Sequence, residues 1–228
     1  TEKLVPVMAA LYLLGGLVVL VCRGRYLPEA VGMIFRYAFV PNAIIGGSLG
    51  YALKMAVSQG VKRGLFSNEA GMGSTPHAHA MAKVKHPHEQ GVVAMTGVFI
   101  DTFVVLTMTA LVVISTLYAG NGILSAGTAE GVSKANMAQM AFGTVLGSRA
   151  GSMFVAVCLL FFAFSTILSW NFFGRLNVSW LLGEKAVGVY SVLAIGFIFL
   201  GSCLSNDLVW ELADLFNQLM VLPNVLAL

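Results

Sequence analysis

The sequence predicts an all-α membrane protein, and three observations carry that expectation. Of the 228 residues, 58% are hydrophobic and only 10% are charged, against roughly 25% charged in soluble domains. Mean hydropathy is +0.86. The apolar residues also fall in runs near the ~20 residues that a helix needs to cross a bilayer core. Thirteen basic and ten acidic side chains cannot cover a soluble surface of this size, so lipid is the expected solvent for most of it. A formal charge of +3, scattered along the chain, gives no footprint for nucleic acid.

The whole chain, 1–228, reads as one transmembrane domain. Its expected spans are 4–22, 43–82 (broken near 67–75), 92–119, 152–173, 187–203 and 208–228. The first run has no small-residue cleavage site after it, so it reads as a spanning helix and not a signal peptide. The chain starts Thr1-Glu2-Lys3 and ends inside the apolar run 221–228, so further helices are expected beyond both ends. The last span is less clean, because Glu211 and Asp214 sit near its start. Lys83, Lys85, His86 and His88 occupy one short loop, and Arg175 and Lys185 another. Both loops lie on the same side by parity, the cytoplasmic one by the positive-inside rule. Arg23, Arg25 and Arg36 then lie outside, against that rule. The linker 120–147 is rich in Gly, Ser and Thr, with a short surface helix expected at 136–142. Cys22, Cys158 and Cys203 lie in or beside apolar runs and form no CxxC pair, so neither zinc nor redox chemistry is expected of them.

Four groups of residues could carry chemistry. The first is Ser67-Asn68-Glu69-Ala70-Gly71-Met72-Gly73-Ser74-Thr75-Pro76. Non-helical backbone at membrane depth survives only against protein or a water-filled cavity, and a polar break between short apolar pieces marks the binding site of many transporters. Gly71 and Gly73 let a ligand approach backbone. Ser74 and Thr75 suit a new helix N-terminus, with Pro76 in its first turn. Amide protons there could take a carboxylate, while free carbonyls and Asn68 could take an ammonium. Glu69, an acid at this depth, adds weight to a functional role; the alternative is a loop that is merely rich in Gly and Ser. The second group is Ser165-Thr166 with Trp170 on an apolar helix. Adjacent hydroxyls are hard oxygen ligands suited to sodium, and Trp170 shares a face with Thr166. Alternatively the hydroxyls bond back to their own helix and Trp170 belongs to the interfacial belt. The third is Asp101-Thr102: either an intramembrane functional acid or a structural lock to Lys62 or Arg63. The fourth is His77, His79, His86 and His88. Their spacing of two does not share a helix face, so solvated loop and headgroup-facing roles are expected over a metal site.

The block Gly60-Val61-Lys62-Arg63-Gly64-Leu65-Phe66-Ser67-Asn68-Glu69-Ala70-Gly71-Met72-Gly73-Ser74 closely resembles the signature of the alanine/glycine:cation symporter family. The resemblance continues through His86-Pro87, Gln90-Gly91 and Gly97-Val98-Phe99-Ile100-Asp101-Thr102. It resumes at Phe164-Ser165-Thr166-Ile167-Leu168-Ser169-Trp170 and at Leu222-Pro223-Asn224, and so covers essentially the whole chain. It implies a LeuT-type inverted-repeat transporter fold, here partial, about helices five to ten, with a discontinuous helix. It implies sodium as the coupling ion, no other cofactor, a small neutral amino acid as substrate, and a bacterial cell membrane as the location. On that analogy the break near 67–75 is the unwound part of helix six. Asn68, Gly71, Gly73, Ser74 and Trp170 would bind substrate and Ser165 and Thr166 would bind sodium. Glu69 and Asp101 would serve coupling or structure. Helix one, absent here, would complete both sites. Lys62 and Arg63 lie close to the break: either they line an aqueous vestibule, or the segment is a cytoplasmic loop and Gly46–Gly50 is the break. A membrane enzyme or an ion channel is the alternative function; no HExxH-type motif or nucleophile–base pair supports the first.

Overall fold

A computed structural model of the chain describes residues 4–39, 58, 60, 62–64, 66–69, 71–125, 131–133 and 136–227. Among these every regular element is helical. Helix α1 is Leu4–Cys22, followed by a 3-10 turn, Gly24–Tyr26, and α2, Leu27–Phe39. The described residues among 58–68 are helical. Then come α3, Thr75–Ala80; α4, Pro87–Tyr118; α5, Met137–Leu146; α6, Ser148–Leu182; α7, Glu184–Cys203; and α8, Asn206–Ala227.

Four of these, in α1, α4, α6 and α7, are long and apolar enough to cross a membrane. At most 17% of the residues in any of the four apolar stretches are buried within this chain, so their surfaces require lipid or further protein. Helix α8 forms over the expected range but is not apolar enough to join them. Its Asp207, Glu211 and Asp214 fall at i, i+4 and i+7, which gives it one acidic face. Helix α6 extends well past the expected 152–173. Nothing between Phe173 and Gly183 stops a helix, and Gly183, with φ +84°, ends it.

The chain divides into two compact units: Thr1–Ala52 with Gly97–Ser165, and Leu53–Thr96 with Thr166–Leu228. The first holds a core of Val19, Met108, Val112, Leu117, Ala141, Phe142 and Val155. Phe142 is 1% exposed, so α5 is a packed helix and not the surface helix expected for 136–142. It lies close to α6: a Cβ added at Gly151 would meet the backbone N of Gly143 at 2.5 Å. Helix α4 widens into π turns at Ile100–Leu106 and Ile114–Tyr118. A π turn disturbs the regular i to i−4 ladder, and the carbonyl of Ser115 accepts from Arg23 Nε at 3.0 Å and Nη2 at 2.7 Å. The same guanidinium lies 4.1 Å from the ring centre of Tyr26. Arg23 is thus a structural clamp.

Candidate functional site

The polar interruption belongs to the second unit. Helical residues run to Asn68, after which the backbone turns left-handed three times: Glu69 has φ +51°, Gly71 +83° and Gly73 +79°. Glycine meets that geometry freely, but an L side chain carries about 1–2 kcal/mol of strain there. Glu69 offsets it with hydrogen bonds. Its carbonyl accepts from Met72 N at 3.3 Å, and its Oε2 accepts from Ser74 Oγ at 2.7 Å. Ser74 is 2% exposed, so this charge-assisted bond is shielded from water.

Helix α3 starts at Thr75 with Pro76 in its first turn, as expected. Ser74 occupies the N-cap position, but its hydroxyl is turned to Glu69 and makes no cap. The helix has six residues. Its two poles are only about 9 Å apart, so their fields largely cancel and the expected carboxylate seat at its N-terminus is weak. Residues 43–57 and Ala70, including the alternative break at Gly46–Gly50, lie outside the described residues.

Distant parts of the same unit hold the break in place. Asn224 Nδ2 on α8 donates to the carbonyl of Gly71 at 3.0 Å. A Cβ at Gly73 would meet Asn224 Oδ1 at 3.2 Å, so a side chain there needs Asn224 to give by a few tenths of an ångström in addition to adopting the left-handed φ. His77 Nδ1 donates to the carbonyl of Ser74 at 2.8 Å, and its Nε2 lies 3.1 Å from Asn177 Oδ1 on α6. The His77 ring packs 5.7 Å from Phe173, which meets Trp170 edge-on at 6.1 Å. Ser74 and Trp170 are therefore joined by a short series of contacts through two residues to which the sequence assigned no site role. His77 is not the solvated loop histidine expected, and His79 Nδ1 lies 2.8 Å from Gln90 Nε2. Among the described residues no three His, Cys, Asp or Glu side chains converge as a metal site.

The cations beside the break are also placed. Arg63 pairs with Asp214 on α8 at 3.3 Å and lies 4.7 Å over the ring of Trp210, which Phe66 meets edge-on. Arg63 is therefore held by Asp214, whereas the sequence offered Lys62 or Arg63 as a structural lock for Asp101. Asp101 itself lies in the first π turn of α4. Lys62 lines a cavity of about 360 Å³ with Ser58, Met72, Asp214, Asn217, Gln218 and Val221. That volume falls in the range of small-molecule pockets, ~300–1,000 Å³. Among the described residues the Nδ2 of Asn217 is buried without a hydrogen-bond partner. Lys62, Asp214 and Asn217 thus border one space. No signal in the sequence singled out Asn217.

On α6, Ser165 Oγ donates to the carbonyl of Phe162 at 2.9 Å. This is the back-bonding alternative. Thr166 and Trp170 follow on one continuous helix, four residues apart and on one face.

The profile described as the sodium:alanine symporter family matches residues 1–228. An uncharacterized transporter of Haemophilus influenzae is 40% identical over 228 residues, which is 100% of this chain and 48% of that protein. The sodium/alanine symporter AgcS of Methanococcus maripaludis is 39% identical, with 100% and 48% covered. The probable sodium/glutamine symporter GlnT of Bacillus subtilis is 36% identical, with 100% and 45% covered. The chain thus spans about half the length of the curated relatives it matches. No solved structure matches it significantly. The chain belongs to the sodium:alanine symporter family.

Proposed function

We propose that the full-length protein carrying this chain is a secondary active symporter. It couples sodium entry to uptake of a small neutral amino acid, alanine or glycine, by alternating access. The family match over residues 1–228 carries this reading. The cavity beside the break, bordered by Lys62 and by Asp214 of the Arg63 ion pair, has the size for a small polar substrate, which supports this reading. The proposed fold is of the LeuT type, with this chain supplying helices five to ten.

In this proposal Ser165 and Thr166 offer hydroxyl oxygens to sodium, and the half of the protein outside this chain completes the ion's shell. Substrate engages the break at Asn68, Gly71, Gly73 and Ser74, with Trp170 limiting side-chain size. The groups now holding the break would exchange partners: the substrate ammonium replaces Asn224 on the Gly71 carbonyl, and Ser74 leaves Glu69 for the substrate carboxylate. Glu69 then carries the coupling role and Asp101 a structural one. Sodium and substrate must favour the same conformation for coupling to arise, and rocking of the repeats opens the site to the other side.

The test is uptake of radiolabelled alanine into proteoliposomes containing the full-length protein, with an inward sodium gradient and with equal potassium. Sodium-driven accumulation is expected, with unlabelled glycine competing and glutamine competing weakly. Absence of sodium-driven accumulation of alanine or glycine by folded protein would overturn the proposal.

A further inference from the structure

Helices α6 and α7 form an antiparallel hairpin in the second unit, joined at Gly183. It is pinned near the turn by Ser179 Oγ, which donates to Glu184 Oε1 at 2.6 Å, and further in by Tyr190, whose ring would run into any side chain at Gly174. A cavity of about 460 Å³ opens along this hairpin. Arg175, Ser179 and Glu184 stand at the turn end together with Leu176 and Val187, and Asn171, Phe172 and Leu168 lie one to two helical turns deeper. From Ser179 to Leu168 the helix falls by roughly 16 Å, the depth from a headgroup into acyl chain.

The surroundings fit a lipid boundary. Helix α6 has 35 residues and is about 52 Å long, well beyond a ~30 Å hydrocarbon core, so its end must reach the headgroup layer. Trp180 is 84% exposed there, where amphipathic rings concentrate at membrane interfaces. Only 6% of the residues of α7 are buried. Among the described residues no hydrogen bond or ion pair engages the Arg175 guanidinium, and Glu184 keeps a second carboxylate oxygen beyond the one bonded to Ser179.

We infer that this cavity binds one glycerophospholipid with a primary-ammonium headgroup, phosphatidylethanolamine. Arg175 takes the phosphate through paired N–H donors. The free oxygen of Glu184 accepts from the headgroup ammonium, which a trimethylated choline cannot donate. Asn171, one turn below, is placed for an ester carbonyl, and Leu168, Phe172 and Val187 meet an acyl chain. A purely anionic headgroup is disfavoured because Glu184 would repel it. This inference does not depend on the transported substrate.

The experiment is native mass spectrometry of the full-length protein released from detergent, titrated with phosphatidylethanolamine, phosphatidylcholine or phosphatidylglycerol of matched acyl chains. The wild type is expected to retain one phosphatidylethanolamine at least fivefold more tightly than either of the others. Arg175→Gln should weaken that adduct at least fivefold, and Arg175→Lys should restore most of it. Glu184→Gln should bind phosphatidylethanolamine and phosphatidylcholine within twofold of each other, which shows a folded site that has lost its selectivity. Equal retention of all three lipids by the wild type, tighter phosphatidylglycerol, or displacement of the lipid by soluble O-phosphoethanolamine would each overturn the inference. So would lipid selectivity unchanged in both Arg175→Gln and Glu184→Gln.

Discussion

The break at 69–74 and the hydroxyl stretch at Ser165-Thr166 are both polar segments in an apolar chain, and they satisfy their groups in opposite ways. The break relies on residues far away in sequence: Asn224 holds Gly71, and Asn177 meets His77. The hydroxyl of Ser165 turns to the carbonyl of Phe162, three residues back on its own helix. A segment held by distant partners loses structure when one is removed. A hydroxyl bonded within its own helix depends less on distant residues. Stability and function should therefore separate between the two regions.

That contrast can be broken by thermal unfolding of the full-length protein in detergent. Gly73→Ala should have the largest effect. It places a side chain at φ +79° and a methyl group against Asn224 Oδ1, at a combined cost of roughly 2–4 kcal/mol. Ser74→Ala follows: it removes a buried hydrogen bond to the Glu69 carboxylate, worth about 1.5–3 kcal/mol. Asn224→Ala removes the donor to the Gly71 carbonyl and should cost about 0.5–1.5 kcal/mol. Ser165→Ala should change stability by no more than about 0.5 kcal/mol, while reducing sodium-dependent uptake. A Ser165→Ala protein as unstable as Ser74→Ala would erase the contrast.

Legibility in the sequence follows the same division between local and distant. Helices α1 and α7 were readable because each is an uninterrupted apolar run bounded by polar or glycine residues. The end of α6 was not, because Arg175, Asn177 and Ser179 look like loop chemistry by composition although nothing there breaks a helix. The core position of α5 was hidden because its burial depends on α1 and α4, which lie far away in sequence. At the site, Gly71, Gly73 and Pro76 announced the break through local backbone rules. Asn224 and Asn177 carried no local signal, since their partners lie 153 and 100 residues away. That the Ser74 hydroxyl makes no cap has the same origin: a carboxylate five residues back competes for its hydroxyl only once Glu69 has turned left-handed.

The most direct test is the sodium dependence of alanine uptake in proteoliposomes for wild type, Thr166→Ala and Asn224→Ala. The proposed division predicts that Thr166→Ala raises the sodium concentration for half-maximal uptake at least tenfold. Asn224→Ala should leave that concentration within twofold of wild type and change the maximal rate instead. The reverse pattern, or a sodium dependence untouched by Thr166→Ala, would contradict the account.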